Sequence, residues 1–220
     1  QPPFDSLPNI ARWAAHMGFK ALQIPAWDKR LFDVELAASS QAYCDDITAM
    51  LAEHGLVISE LTTHLFGQLV AVHPAYDALC DSFAPAHLQG DPAARSAWAV
   101  HQLTCAAIAS RRLGLSDMGT FSGALAWPYV FPFPQRPDGL VETAFAELAR
   151  RWLPVLDTCA EQGINLCFEI HPAEDLHDGA SFELFLEHVG HHPRCKMLFD
   201  PSHLILQQLD YLAFIDHYRD

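Results

Sequence analysis

Two short stretches of this chain run from apolar residues into acids. Leu166-Cys167-Phe168-Glu169-Ile170-His171-Pro172-Ala173-Glu174-Asp175 closes a strand-like run, Ile164 to Phe168, and then presents a carboxylate, an imidazole and a proline. Lys196-Met197-Leu198-Phe199-Asp200-Pro201-Ser202-His203 repeats the pattern: apolar run, carboxylate, proline, imidazole. In α/β proteins a buried strand commonly delivers its functional side chains at its carboxyl end. Two carboxylates on the tips of adjacent parallel strands converge, and a bare pair at close range repels until one side takes a proton or a cation sits between them. A divalent ion with oxygen and imidazole ligands removes the conflict, which suits manganese, cobalt, iron or zinc, or magnesium where few histidines take part. Glu169 and Asp200 are the candidate metal ligands on this argument. The competing structural role is helix capping, which Asp-Pro-Ser at 200–202 also suits.

Other polar residues gather around this pair. His171 alternates with Glu169 along the strand, so the two share a face wherever the strand extends that far. His203 follows Asp200 by one helical turn if Pro201 opens a helix. It is then a ligand, a donor to a substrate oxygen, or a histidine on an exposed helix. Glu174 is the candidate for substrate contact or acid–base work in the loop after the first stretch, and Asp175 beside it reads as structural. His64 ends an earlier strand in an equivalent place, as a substrate contact or a satisfied core histidine.

The elements that must position these residues alternate. Ser6-Leu7-Pro8 caps a helix to Met17, and Ala21–Pro25 is a strand. A helix from about Ser40 to His54 stops at Gly55, and Leu56–Leu61 is the next strand. An apolar loop, Leu65 to Ala75, is long enough to carry function. Asp91-Pro92 opens a helix to about Leu113, followed by a strand over 114–118 and a Gly/Ser turn. The aromatic, proline-rich segment Trp127–Pro137 reads as a pocket wall or lid, or as a surface loop packed on itself. A helix from Leu140 to Gln162 contains Pro154, which predicts a kink or a split. Then come the Glu169 strand, a helix over about Ser181–Val189, the Asp200 strand and a helix from Asp210. Strand and helix alternate at βα-unit spacing, which argues for a parallel sheet with crossover helices. Neither GxGxxG nor GxxxxGK[ST] follows any strand, which disfavours a nucleotide-binding doubly wound sheet and favours a (β/α) barrel. A full barrel takes about 250 residues. Five strands are predicted, so the expectation is one partial barrel domain over 1–220, lacking the first strand and the last two βα units.

Composition narrows the partners. With 27 acidic residues against 13 Lys and Arg, the formal net charge is −14. That argues against nucleic acid, whose phosphates demand a basic face, and weakly against anionic membranes. No apolar run is long enough to span a bilayer. The six cysteines form no CxxC pair and fall mostly within predicted elements, as reduced, buried small hydrophobes do, which predicts a cytoplasmic setting. No Lys or Arg cluster lies near the candidate site to hold a phosphate, so a neutral substrate, or one held through a cation, fits better. A homo-oligomer is compatible with this composition.

The motifs Glu169-Ile170-His171-Pro172-Ala173-Glu174-Asp175, Asp178-Gly179 and Phe199-Asp200-Pro201-Ser202-His203-Leu204 resemble the xylose isomerase-like sugar phosphate isomerase/epimerase family, most strongly over about Leu166 to Tyr218. That family includes ketose 3-epimerases, hydroxypyruvate isomerases, inosose dehydratases and, more distantly, apurinic-site endonucleases. The resemblance implies a (β/α)8 TIM barrel with one divalent ion held by Glu, Asp, His and Glu from strands five to eight. Glu169 matches the first ligand and Asp200 the second, while the last two have no counterpart within residues 1–220; the resemblance also makes Glu169 the catalytic carboxylate, one of two that move the proton. His203 matches a histidine that contacts substrate in epimerases and binds metal in the endonucleases. Glu174 matches loosely a second acidic residue after strand five. The implied activity is isomerisation or epimerisation of a keto-sugar or polyol through an enediolate, with a metal-dependent lyase or dehydratase as the alternative and an endonuclease as a distant one. Trp27, Phe66 and Trp127 are expected either to pack on a sugar face or to fill the core.

Overall fold

The computed structural model describes residues 4–129 and 135–219. Its five strands are β1 Ala21–Pro25, β2 Val57–Thr62, β3 Asp117–Thr120, β4 Asn165–Glu169 and β5 Cys195–Leu198. All are parallel and pair in chain order, β1-β2-β3-β4-β5. The helices are α1 Leu7–His16, α2 Val34–Ser39, α3 Gln41–Ala52, α4 His64–Gly67, α5 Asp77–Cys80, α6 Pro92–Arg112, α7 Leu140–Gln162, α8 Gly179–His188, α9 Pro201–Leu206 and α10 Tyr211–Tyr218. Parallel neighbours need crossovers, and the helices supply them.

The caps explain where helices begin. Side chains of Ser6, Asp33, Ser40, Asp91, Asp178, Asp200 and Asp210 each accept a hydrogen bond from a first-turn N–H. Each meets one of the donors that a helix start leaves unpaired. Asp178 and Ser181 form a reciprocal capping box at α8.

Several boundaries differ from the sequence reading. Helix α2 falls in a stretch read as connection. Ser40, in extended conformation, both ends α2 and caps α3, so one expected helix is preceded by a second, short one. The expected loop 65–75 is a helical turn, α4, followed by Leu69, Val70 and Ala71, all at 0–1 % exposure. Its apolar character is that of core. Pro154 does not split α7, which runs unbroken from Leu140 to Gln162 and ends at Gly163 in the left-handed region, φ 77°. Of the aromatic segment 127–137, residues 130–134 lie outside the described residues.

The two faces of the sheet differ. On the helix side of β4, Phe168 meets Trp152 of α7 at 4.8 Å and Phe185 of α8 at 5.2 Å, ring centroid to centroid, both edge to face. The buried Trp152 indole donates to the Ser122 carbonyl at 2.8 Å, so its one polar atom is satisfied. Burial of such rings is worth about 3 kcal/mol each, and the column fixes the rotation of β4. The opposite face is polar: Gln23 bonds Glu60 at 2.7 Å, and Asn165 bonds Asp117 at 2.9 Å and accepts from Arg194 at 3.1 Å. A register shift at Ser59 keeps Ile58 and Leu61 both in the core although they are three residues apart, and leaves Glu60 to face Gln23. Alternation along β4 then puts Cys167 and Glu169 on the polar side.

Candidate metal centre and active site

Glu169 is the last residue of β4 and is 9 % exposed. Its Oε1 lies 3.1 Å from Nε2 of His203, and its Oε2 lies 2.8 Å from Nε2 of His64. Burial, the largest single influence, pushes its pKa up. The contact with His64 and the fields of His64, His203 and His171 together outweigh burial and hold the carboxyl below its usual range. The group is therefore buried and still inclined to carry charge.

Asp200 arrives on the neighbouring strand. Glu169 pairs with Leu198 across the β4–β5 ladder, and Asp200 follows two residues on. Its two oxygens divide the work: Oδ1 accepts from the Ser202 N–H at 2.8 Å and caps α9, while Oδ2 lies 3.6 Å from His203 Nε2. Ser202, and then the field of His203, lower its pKa despite some burial. Both sequence readings of Asp200, cap and site carboxylate, therefore describe one side chain. Because α9 starts at Pro201, His203 sits in its first turn and folds back over both acids.

Three imidazoles ring the acids, each with a definite tie. His64 Nδ1 is held by the Thr62 hydroxyl, which turns Nε2 toward Glu169. His171 Nδ1 lies 2.5 Å from the Pro172 carbonyl, so that nitrogen carries the proton and Nε2 keeps its lone pair. Burial first, and His203 second, lower the His171 pKa and favour this neutral form. The rings of His171 and His203 stand 4.0 Å apart. Phe121, just past β3, packs on His64 at 4.5 Å and on His171 at 4.6 Å. Gly119 leaves the room: a Cβ there would come within 3.1 Å of both the His64 ring and Leu198.

The ligand atoms of Glu169, Asp200 and His203 all lie within 4.8 Å of one another. Among the described residues, the ion pairs of Glu169 and Asp200 run to histidine alone, with no lysine or arginine. Two buried nitrogens have no aligned hydrogen-bond partner, Nδ1 of His203 and Nε2 of His64, the latter close to Glu169 but badly angled. Leaving such atoms unmet costs about 1–3 kcal/mol each. Two carboxylates and an imidazole within 4.8 Å of one another are a donor set that fits a divalent ion.

Glu174 and Asp175 are placed differently. Asp175 is buried and accepts from three successive backbone N–H groups, Leu125, Ala126 and Trp127, at 2.7–2.9 Å. Burial raises its pKa, and those bonds work against the rise. Glu174 accepts from the Gly123 N–H at 2.6 Å. Burial pushes its pKa up to about 8, with the neighbouring Asp175 adding to the rise. Gly123 is required here: its φ is +83°, and a Cβ would strike the Ala71 carbonyl at 2.4 Å.

Of the residues singled out in the sequence, the structure brings together Glu169, Asp200, His203, His171 and His64. It sets Glu174 apart, in the wall of an adjoining hollow. Phe66 is core, 3 % exposed against Trp98. Trp27 meets His64 edge-on at 6.3 Å, and Trp127 packs on His177 at 5.1 Å. Sequence reasoning missed Thr62 and Phe121. The available signal was their place, the last residue of β2 and the first beyond β3.

An open run of parallel strands, helices packed on one face and acids with imidazoles at the carboxyl ends defines the class: a protein built on the (β/α)-barrel plan. The chain belongs to the xylose isomerase-like TIM barrel family, which it matches over residues 11–219. Solved structures with this fold include the probable 3-DHS dehydratase AsbF of Bacillus anthracis, at TM-score 0.63 and 15 % identity, covering 96 % of this chain and 63 % of that one. An L-ribulose 3-epimerase superposes at TM-score 0.61 and 18 % identity, covering 97 % and 62 %. A D-psicose 3-epimerase crystallised with D-fructose gives TM-score 0.57 and 15 % identity, covering 93 % and 61 %. The chain thus spans under two thirds of the length of these relatives. No curated protein matches the sequence.

Proposed function

We propose that this protein is a divalent-metal-dependent sugar isomerase or epimerase acting on an unphosphorylated keto-sugar or polyol. The observation that carries the reading is Glu169, a buried carboxyl kept on the ionised side by imidazoles and sharing one small space with Asp200 and His203. The fold-mates named as 3-epimerases support the same class. Glu169, Asp200 and His203 would hold the ion, whether manganese, cobalt, magnesium, iron or zinc. Bound there, a divalent ion supplies positive charge that offsets negative charge developing on a substrate carbonyl oxygen.

The chain's own groups do the rest. Glu169 takes the proton from the carbon next to the carbonyl, which requires the unprotonated form that its surroundings favour. His171 offers the lone pair of Nε2 to a substrate hydroxyl, and His64, locked by Thr62, holds Glu169 from the other side. Phe121 shields both imidazoles from water. Glu174, carrying a proton at neutral pH, donates to a substrate hydroxyl from the next loop. A proton delivered to the opposite face by a second acid, with Glu169 keeping the one it took, gives epimerisation; return of the proton by Glu169 to the adjacent carbon gives isomerisation. Loss of a β-hydroxyl after the same first step gives dehydration, the second reading, which the likeness to a probable dehydratase supports.

No described helix is long and apolar enough to cross a membrane, and all six cysteines are free. We place the protein in the cytoplasm on the second of these. The test is exchange of the substrate's α-hydrogen with deuterium from solvent across a panel of keto-sugars. Exchange should need added divalent metal and should vanish with Glu169→Gln. Undiminished exchange after exhaustive chelation would end the proposal.

A further inference from the structure

A hollow of about 270 Å³ opens beside Glu174 and takes no part in the proton transfer above. Its walls come from Gln68, His73, Tyr76 and Cys80 after β2, Trp127 after β3, and Glu174 after β4. It therefore lies at the same carboxyl end of the sheet as the metal centre. The two are joined through short links: Phe121 packs on His64 and His171, and Gly123, two residues on, lines the hollow and binds Glu174.

Its chemistry is selective. Tyr76, His73 and Trp127 offer ring surface, and the His73 ring is fixed by its bond to the Tyr129 hydroxyl at 2.8 Å and by the Ala75 N–H at 3.2 Å. The Gln68 amide nitrogen has no partner although it is shut off from solvent. The terminal amide torsion of glutamine is soft, so a ligand can claim that donor. The Glu174 carboxyl is anchored through one oxygen to Gly123, and burial keeps it protonated at neutral pH. Ala173, on the rim, is held at φ +71°, a conformation non-glycine residues adopt at a cost. No lysine or arginine lines the hollow among the described residues, so nothing in it attracts an anion. Flat rings for apolar C–H faces, with neutral donors and acceptors between them, match a hydroxyl-rich ring without charge.

We propose that this hollow is a subsite for an uncharged sugar ring joined to the reacting one, held by Gln68, Tyr76, Trp127 and Glu174, so that the substrate is a glycoside or oligosaccharide-type molecule and not a free monosaccharide. The inference rests on the isomerase or epimerase reading for what happens next door, but the subsite is testable without turnover.

The experiment is calorimetric binding of cellobiose, maltose and lactose to the chelator-treated protein, with glucuronic acid as the anionic control. At least one neutral disaccharide should bind, and glucuronic acid should not. Gln68→Leu, which keeps bulk and removes the amide, should weaken binding about tenfold. Tyr76→Ala should do the same and, at 38 % exposure, touches the surface and not the core. Binding unchanged in both variants, or absent for every disaccharide in a wild-type protein that still exchanges the α-hydrogen of free keto-sugars, would overturn the subsite and leave the function intact. Binding lost in both variants, in a protein that shows no metal-dependent exchange on any sugar, upholds the subsite and removes the function proposed for its neighbour.

Discussion

Glu169 and Glu174 are the same residue type, five positions apart, and both are buried. Their surroundings drive them in opposite directions. Glu169 is met by imidazoles from two other elements, His64 and His203, with the field of His171 two residues on, and is held toward the charged form. Glu174 is met mainly by one backbone amide, with Asp175 beside it, and is held toward the neutral form. Burial opposes charge in both cases, so the partners decide the outcome. Imidazoles can be recruited from distant strands without constraining the backbone. Backbone amides are tied to the fold. Hence the first acid keeps its charge among movable side chains, and the second pair, Glu174 with Asp175, is tied by backbone amides to the loops it holds together.

That contrast can be broken from either side. The largest effect is expected for Glu169→Gln. Losing a general base costs about 10²–10⁴-fold in rate, whereas thermal stability should move little, because Gln keeps the size and an acceptor. A variant that loses stability and keeps rate would reverse the assignment. Asp175→Ala should do the opposite. It strands three buried N–H donors, each worth about 1–3 kcal/mol, so the unfolding free energy should fall by at least about 3 kcal/mol in a urea titration. A loss under about 1 kcal/mol would mean that the loop does not depend on this acid.

A finer cut uses pH. The folded chain keeps a proton on Glu174 up to about pH 8, whereas the unfolded chain releases it near the ordinary value of 4.5. Between those values the folded state binds more protons than the unfolded, so stability falls as pH rises and levels off above about pH 8, with a slope of up to about 1.4 kcal/mol per pH unit. Glu174→Gln should remove that component from urea titrations run between about pH 5 and pH 8. An unchanged slope would place the titrating group elsewhere. The smallest effect is expected for Thr62→Val, which frees His64 Nδ1. One lost hydrogen bond is worth about 1 kcal/mol, or roughly fivefold in kcat with KM little changed.

Much of this arrangement was legible in the sequence because it is local. Strand β4 and its carboxylate announce themselves as an apolar run meeting Glu169, and the run before Asp200 announces β5. The caps at Ser6 and Asp91 were read from single residues, because an N-cap acts within one turn. What stayed hidden depends on distance in the chain. Nothing adjacent to His64 says that its ring meets Glu169, or that Phe121 will wedge between His64 and His171. Glu174 is hard to place from sequence for the same reason. It follows Glu169 by five residues, yet its nearest partner, Gly123, comes from another loop. The apolar residues 69–71 looked like loop because composition does not distinguish a buried connection from an exposed one.

Gly119 gives the third strand its part in the site, and that part is an omission. With the nearest neighbours at 3.1 Å from where a methyl group would stand, even alanine would lean on the His64 ring and on Leu198 together. The position works as a template cut to the outline of one imidazole. A chemist surveying side chains for function would pass over it, although the smallest available replacement would shift the aim of a ring it never bonds.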